Sequence, residues 1–249
     1  MRSCLFIVYN LINNEHTRVR MIKLITLYDN IIGKLSLLDG LPALLFRLIL
    51  APVMIIAGYN KLAISGDTNG FFNQFLASDD VVQWFGNSDW GLGLPFPDLL
   101  AFLAGWSEFL GGWFLLIGLF TRLVSIPLMF TMVVAATTVH WHNGWFAIAP
   151  TNPQTSAAQV LDWLSVPGAK ESLENSKEVQ VRIGKIRSLV EEYGFEDYLY
   201  EKGKPSILNN GIEFSAIYFA MLLSLFFTGG GRFVSLDYWF KRGAYINSY

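Results

Sequence analysis

Four apolar stretches, each about long enough to cross a bilayer, constrain this chain more than any other feature in it. They run over 41–59, 99–120, 123–141 and 212–230. A helix needs about 20 predominantly apolar residues to span the hydrocarbon core. Arg47 interrupts the first stretch, Glu108 the second, and Glu213 opens the fourth. A charge at such depth is tolerated where it faces the bundle interior and finds a partner. The expectation is an all-α integral membrane protein: a four-helix transmembrane bundle with a polar interior and an extramembrane helical insertion between spans three and four.

Only 15% of the residues are charged, against about 25% in a soluble domain. The net charge of −2 gives no clustered basic face for a phosphate backbone, so nucleic acid is not an expected partner. The lone cysteine, Cys4, excludes an internal disulfide, a Cys-rich zinc site and a four-cysteine iron–sulfur cluster. The 249 residues divide into a cytoplasmic segment 1–40, a membrane domain 41–239 with an outer insertion at 143–210, and a cytoplasmic tail 240–249. The run 4–9 after Arg2 imitates a signal peptide, but Asn13, Asn14, Glu15 and His16 stand where a small-residue cleavage site belongs. Met21 is an equally plausible start. No function is placed on Cys4 or His16.

Basic residues beside spans set orientation. Arg18, Arg20, Lys23 and Lys34 precede the first span, Arg122 lies in the turn between spans two and three, and Arg232, Lys241 and Arg242 come after the fourth. The loop after span one instead carries Asp67, Asp79, Asp80, Asp89 and Asp98 against Lys61. Both termini are therefore expected in the cytoplasm of a bacterial inner membrane, with the two long loops outside.

The first outer loop is rich in aromatics (Phe71, Phe72, Phe75, Trp84, Phe85, Trp90 and Phe96), which reads as anchoring at the headgroup level. In the second, Val179, Ile183, Ile186, Val190 and Tyr193 recur at helical spacing and Gly194 comes next, predicting an amphipathic helix over 172–193. Such a helix caps the bundle, lies on the membrane or docks a partner. Gly105, Gly111, Gly112 and Gly118 in span two suit close helix approach.

The orientation sorts the polar groups into two layers. Lys61, Glu108, His140, His142 and Glu213 fall in the outer half, Glu108 deepest; Arg47, Arg122 and Asp237 fall in the inner half or its rim. In a dry bundle a lone carboxylate is driven to its neutral form, whereas beside Lys61 or a protonated histidine it stays charged. Glu108, Glu213, His140 and Lys61 are therefore the candidates for an intramembrane polar site, suited to proton transfer, quinol chemistry or ligand binding. The plainer reading is that Glu108 and Glu213 fix helix packing. Arg47, Arg122 and Asp237 read as structural ion pairing or rim electrostatics, Arg47 pairing with a carboxylate or with backbone carbonyls, or snorkelling to the headgroups. His140 and His142 suggest a metal, copper favouring imidazole and, when reduced, the thioethers of Met129 and Met132. Residues two apart on a helix face different ways, so both reach one ion only if the chain is extended there. A His-x-His at a membrane boundary is more often an ordinary boundary feature. Haem with two axial histidines needs a histidine on another span, and there is none.

Several motifs occur together in register: Ala57-Gly58-Tyr59-Asn60-Lys61-Leu62, Trp106-Ser107-Glu108-Phe109-Leu110-Gly111-Gly112, Gly118-Leu119-Phe120-Thr121-Arg122, His140, Asn209-Asn210-Gly211-Ile212-Glu213, and Gly229-Gly230-Gly231 with Ser235-Leu236-Asp237 after it. Together they resemble the DoxX family of small four-helix inner-membrane proteins. The runs 87–97 and 138–145 look like one branch, the HvfX-like proteins, associated with maturation or export of small copper-binding peptides made on the ribosome. The resemblance implies a membrane accessory protein for such peptides and their maturation partners, in copper homeostasis. Other members are linked to membrane oxidoreductases, including a thiosulfate:quinone oxidoreductase subunit, which makes a subunit handling quinone or protons the alternative. An animal relative is a receptor-assembly chaperone, so a scaffold without chemistry is the third reading. The lipid bilayer is a partner in all three, and each permits a homo-oligomer.

Overall fold

The computed structural model describes residues 15–65 and 75–246. Cys4, Asp67, Phe71 and Phe72 lie outside the described residues. Among the described residues ten α-helices succeed one another: α1 (Glu15–Leu35), α2 (Leu41–Lys61), α3 (Asp79–Gly86), α4 (Pro97–Ile117), α5 (Thr121–Val134), α6 (Ala158–Trp163), α7 (Ala169–Tyr193), α8 (Glu196–Leu199), α9 (Glu213–Thr228) and α10 (Leu236–Ile246). Among the described residues there is no β-strand, only the isolated bridges Leu62–Ala77 and Ile148–Leu208.

Helices α2, α4, α5 and α9 form the bundle. Each packs on the next, and α9 closes the ring against α2. Leu50 and Met54 of α2 meet Leu115 of α4, Val124, Leu128 and Met132 of α5, and Leu222 and Leu225 of α9 in a buried core. The outer surface is equally apolar: Leu45, Leu48, Leu103, Leu110, Ile126, Phe130 and Ile217 are all exposed. Apolar both inside and out, the bundle is built for lipid rather than water. Among the described residues three helical stretches are long and apolar enough to cross a membrane: Val19–Lys61, Pro97–Ile117 and Thr121–Asn143.

The fourth apolar segment differs from the expected 212–230. Helix α9 has only 16 residues, about 24 Å at 1.5 Å per residue, less than the hydrocarbon thickness of about 30 Å. Gly229, at φ 77°, ends it. A second difference lies at the start of the described chain, where the segment before the first span is the 21-residue helix α1. Its Val19, Ile22, Ile25 and Ile32 are exposed.

Glycines set the closest helix contacts. A Cβ on Gly58 would lie 2.3 Å from the Phe109 nitrogen and 2.6 Å from the Gly105 carbonyl oxygen, and one on Gly112 would lie 2.8 Å from the Ile55 nitrogen. The α2 and α4 backbones therefore touch. Close approach of small residues is how membrane helices gain dispersion contacts when lipid competes equally well for large apolar ones.

The first long loop folds back on the start of α4. Phe85 is buried, and Trp84, Leu92 and Leu94 pack around it and Ala101. Part of the aromatic content read as headgroup anchoring is thus a small core of its own, while Trp90 and Phe96 stay exposed. The amphipathic helix expected at 172–193 is α7, which begins at Ala169 and stops before Gly194. It buries Ser172, Ser176, Val179 and Ile183. Val179 and Ile183 cluster with Ala149 and Ile207, so α7 covers the loops that cap the bundle.

Candidate functional site

The two ends of the bundle hold different polar chemistry. At the α2 N-terminal end, Arg47 is fully buried. Its Nε donates to Leu115 O at 2.6 Å, Nη1 to Gly230 O at 2.8 Å and Phe233 O at 3.3 Å, and Nη2 to Leu116 O at 2.8 Å and Val234 O at 2.6 Å. Leu115 and Leu116 sit in the last turn of α4, whose terminal carbonyls have no partner within the helix. One guanidinium, with five N–H donors in a rigid fork, thus ties two chain segments to α2. Asp237 does the converse for α5: its two carboxylate oxygens accept from the Phe120 and Thr121 amides at 2.8 and 2.9 Å. Arg122 Nη2 donates to Phe227 O at 3.0 Å, in the last turn of α9. Among the described residues none of the three makes an ion pair. Their bonds go to backbone groups at helix ends, where the unsatisfied donors and acceptors are; for Arg47 these are backbone carbonyls, one of the partners expected of it.

At the other end, Lys61 closes α2 and reaches down to Glu108, just past the middle of α4. Nζ lies 2.5 Å from Oε2 and 3.5 Å from Ala57 O. The Glu108 side chain is 5% exposed and that of Lys61 24%. The Gly58–Gly105 contact makes this reach possible: a Cβ on Gly105 would sit 3.3 Å from Lys61 Cβ and 2.8 Å from Leu62 Cδ2. Paired, both charges survive in the bundle; unpaired, either would be an uncompensated buried charge. Beside the pair, Tyr59, Phe109, Trp106 and Phe102 form a chain of ring contacts with centroids 6.0 to 6.4 Å apart. Phe75 stacks on Trp106, and the Trp106 Nε1–H donates to Phe75 O at 2.7 Å.

Glu213 and His140 do not join this pair. Glu213, the first residue of α9, accepts from the Ala147 amide at 3.0 Å through Oε2. His140 ends a π-helical turn, Ala135–His140, that continues α5. Its Nδ1 lies 2.8 Å from Asn210 O. A carbonyl only accepts, so Nδ1 carries the proton, and Nε2 has no hydrogen-bond partner among the described residues. His142 is exposed in the next turn, a 3-10 one. No group of three or more His, Cys, Asp or Glu side chains is placed to hold a metal among the described residues.

The hub of this end is a set of asparagines. Asn209 Nδ2 donates to Asn143 O at 2.5 Å and Phe146 O at 2.8 Å, and Asn175 of α7 donates to Asn209 Oδ1 at 3.2 Å. Asn143 Nδ2 meets Asn210 O at 3.1 Å. Asn210 is left-handed (φ 56°), and a Cβ on Gly211 would strike Gly144 O at 2.5 Å. The insertion is thereby stitched to both α5 and α9. The signal for this was present as two turn signatures, Asn143-Gly144 and Asn210-Gly211, but their 67-residue separation hides that they bind each other.

Residues 43–141 match the family model described as DoxX. No curated protein and no solved structure matches the chain. The DoxX-like part of this membrane protein therefore runs from the start of the first bundle helix to the end of the third, and carries Arg47, Lys61, Glu108, Arg122 and His140.

Proposed function

We propose that the protein is an inner-membrane accessory component in the maturation or export of small copper-binding peptides, acting at the face that carries Lys61, His140 and the insertion. That face is the outer one in this reading, with both termini cytoplasmic, in keeping with the distribution of basic residues. The observation that carries it is the contrast in polar commitment. Arg47 has every donor direction occupied by the fold, whereas the opposite end keeps a partly accessible ammonium, a free imidazole nitrogen and a second exposed histidine. His140 and His142 lie in successive helical turns rather than an extended segment, so each imidazole alone suits transient contact with a metal that a peptide brings with its own ligands. They do not suit a resident copper centre.

The test is copper tolerance of a deletion strain complemented with wild type, Glu108→Gln or His140→Ala, with immunoblots showing equal membrane levels. Hypersensitivity rescued by wild type alone is the expected result. Unchanged tolerance in the deletion strain, with the gene expressed, overturns the copper reading.

A second reading is favoured by a specific feature: a part-buried Lys–Glu pair bordered by Tyr59, Trp106 and Phe109 suits a planar quinone headgroup and a proton relay. A subunit of this kind would retain a short-chain quinone in detergent, and Glu108→Gln would abolish that retention while copper tolerance stayed normal.

A further inference from the structure

At the Arg47 end a cavity of about 320 Å³ opens between α5, α10 and the glycine loop after α9, lined by Arg122, Lys241, Asp237 and Gly229–Gly231 with Phe120 and Leu123 beside them. Its charges are unequal in availability. Both oxygens of Asp237 already accept from Phe120 and Thr121 amides. Arg122 commits a single N–H, to Phe227 O, and keeps the rest of its fork. Lys241 is exposed and takes part in no ion pair among the described residues. The amides of Gly230 and Gly231 donate to no backbone carbonyl of the described chain. A guanidinium with one N–H committed, an exposed ammonium and two amides without a backbone acceptor among the described residues, around a small concavity, favour an anion with several acceptor oxygens.

The rim identifies what carries that anion. Phe120 is 57% exposed and Leu123 66%, and both belong to the turn and first residues of a membrane helix, so their free surfaces face acyl chains. We infer that this cavity binds the phosphate of an anionic phospholipid, with the headgroup against Arg122 and Lys241 and the chains along Phe120 and Leu123. Basic pockets between helices at the membrane edge are suited to such headgroups. The inference stands on this end of the bundle alone and is independent of the function proposed for the other end.

Native mass spectrometry of the detergent-purified protein, incubated with phosphatidylglycerol or phosphatidylcholine, tests it. Wild type is expected to retain one phosphatidylglycerol and no phosphatidylcholine. Lys241→Gln should lower that retention by about fivefold, the worth of one basic residue near a membrane surface; Lys241→Arg should restore it. Arg242→Gln removes the same charge from the same helix outside the cavity and should change nothing. An unshifted thermal midpoint without lipid verifies that the variants fold. Equal losses for the two glutamine variants would mark diffuse attraction and overturn the site, as would retention indifferent to Lys241. Release of the lipid by millimolar inorganic phosphate would assign the cavity to a free anion instead.

Discussion

The two ends of this bundle use buried charge in opposite ways. Around Arg47, charge is consumed by architecture: a guanidinium and a carboxylate occupy the orphan carbonyls and amides of α4 and α5, and the chain between α9 and α10 is held in the same knot. Around Lys61, charge is balanced in a single side-chain pair that the backbone merely permits by a glycine crossing. The first arrangement has many partners and no freedom. The second has one counter-charge each and an opening toward the surface. An intramembrane charge is therefore a poor guide to chemistry until its partners are known, because backbone acceptors signal folding and a lone counter-charge leaves room for a proton or a ligand.

This contrast breaks first at Arg47. Arg47→Ala leaves five carbonyls without their donor, each stranded buried acceptor costing about 1–3 kcal/mol, and the protein is expected to fail to accumulate in the membrane. Arg47→Lys should do nearly as badly, since one ammonium does not reproduce the fork; normal levels of either variant on an immunoblot would sink the architectural role. Gly58→Ala drives a methyl into the Phe109 backbone, and a cost of about 1–3 kcal/mol from overpacking is expected. A lowered thermal midpoint in detergent, together with loss of whatever activity depends on the Lys61–Glu108 pair, would sharpen the link between crossing and pair.

Glu108→Gln is the discriminating change. Lys61 is partly solvated, so its isolation should cost only about 1–3 kcal/mol. The protein should still accumulate while its function is lost. The double change Lys61→Met, Glu108→Leu should recover stability and not function, as expected when a buried pair is replaced by apolar groups. Restored function in that double variant would reduce the pair to packing. Asp237→Ala removes the cap from the start of α5 and should lower stability by about 0.5–2 kcal/mol, read as a small shift in melting. His140→Ala should be smallest, about 1 kcal/mol for one hydrogen bond at the surface.

Much of the fold is legible in the sequence because periodicity and length carry it. The apolar runs mark α2, α4 and α5, and the spacing of Val179, Ile183 and Ile186 marks α7 to within a few residues of its true start. The fourth apolar run overstates α9 because hydropathy does not register where Gly229 turns the backbone left-handed. The helix α1 escapes notice since its apolar residues mix with Arg20, Lys23 and Asp29 in a segment that reads as the basic cytoplasmic flank of the first span. The site is legible only in part. That Lys61 is a suitable partner for Glu108 can be read from charge and depth. The partners of Arg47 cannot be read from anything local: they lie 68 to 187 residues away and are carbonyls, which every residue possesses. Asn209 is hidden for the same reason, its acceptors being the backbone of Asn143 and Phe146.

The π-helical turn before His140 turns the third bundle helix into a counting device. A turn of this kind accommodates one residue more than an α-turn, and each added residue rotates the remainder of a helix by about 100°. The imidazole meets Asn210 O only because the number of residues from Val134 to His140 is right for that wider turn. Deleting Thr137 or Thr138 would let the helix regularise at little local expense, yet it would swing His140 to another face and unfasten the insertion from the bundle. The stretch 135–140 therefore fixes, by length rather than by chemistry, how the part of the protein inside the membrane is keyed to the part outside it.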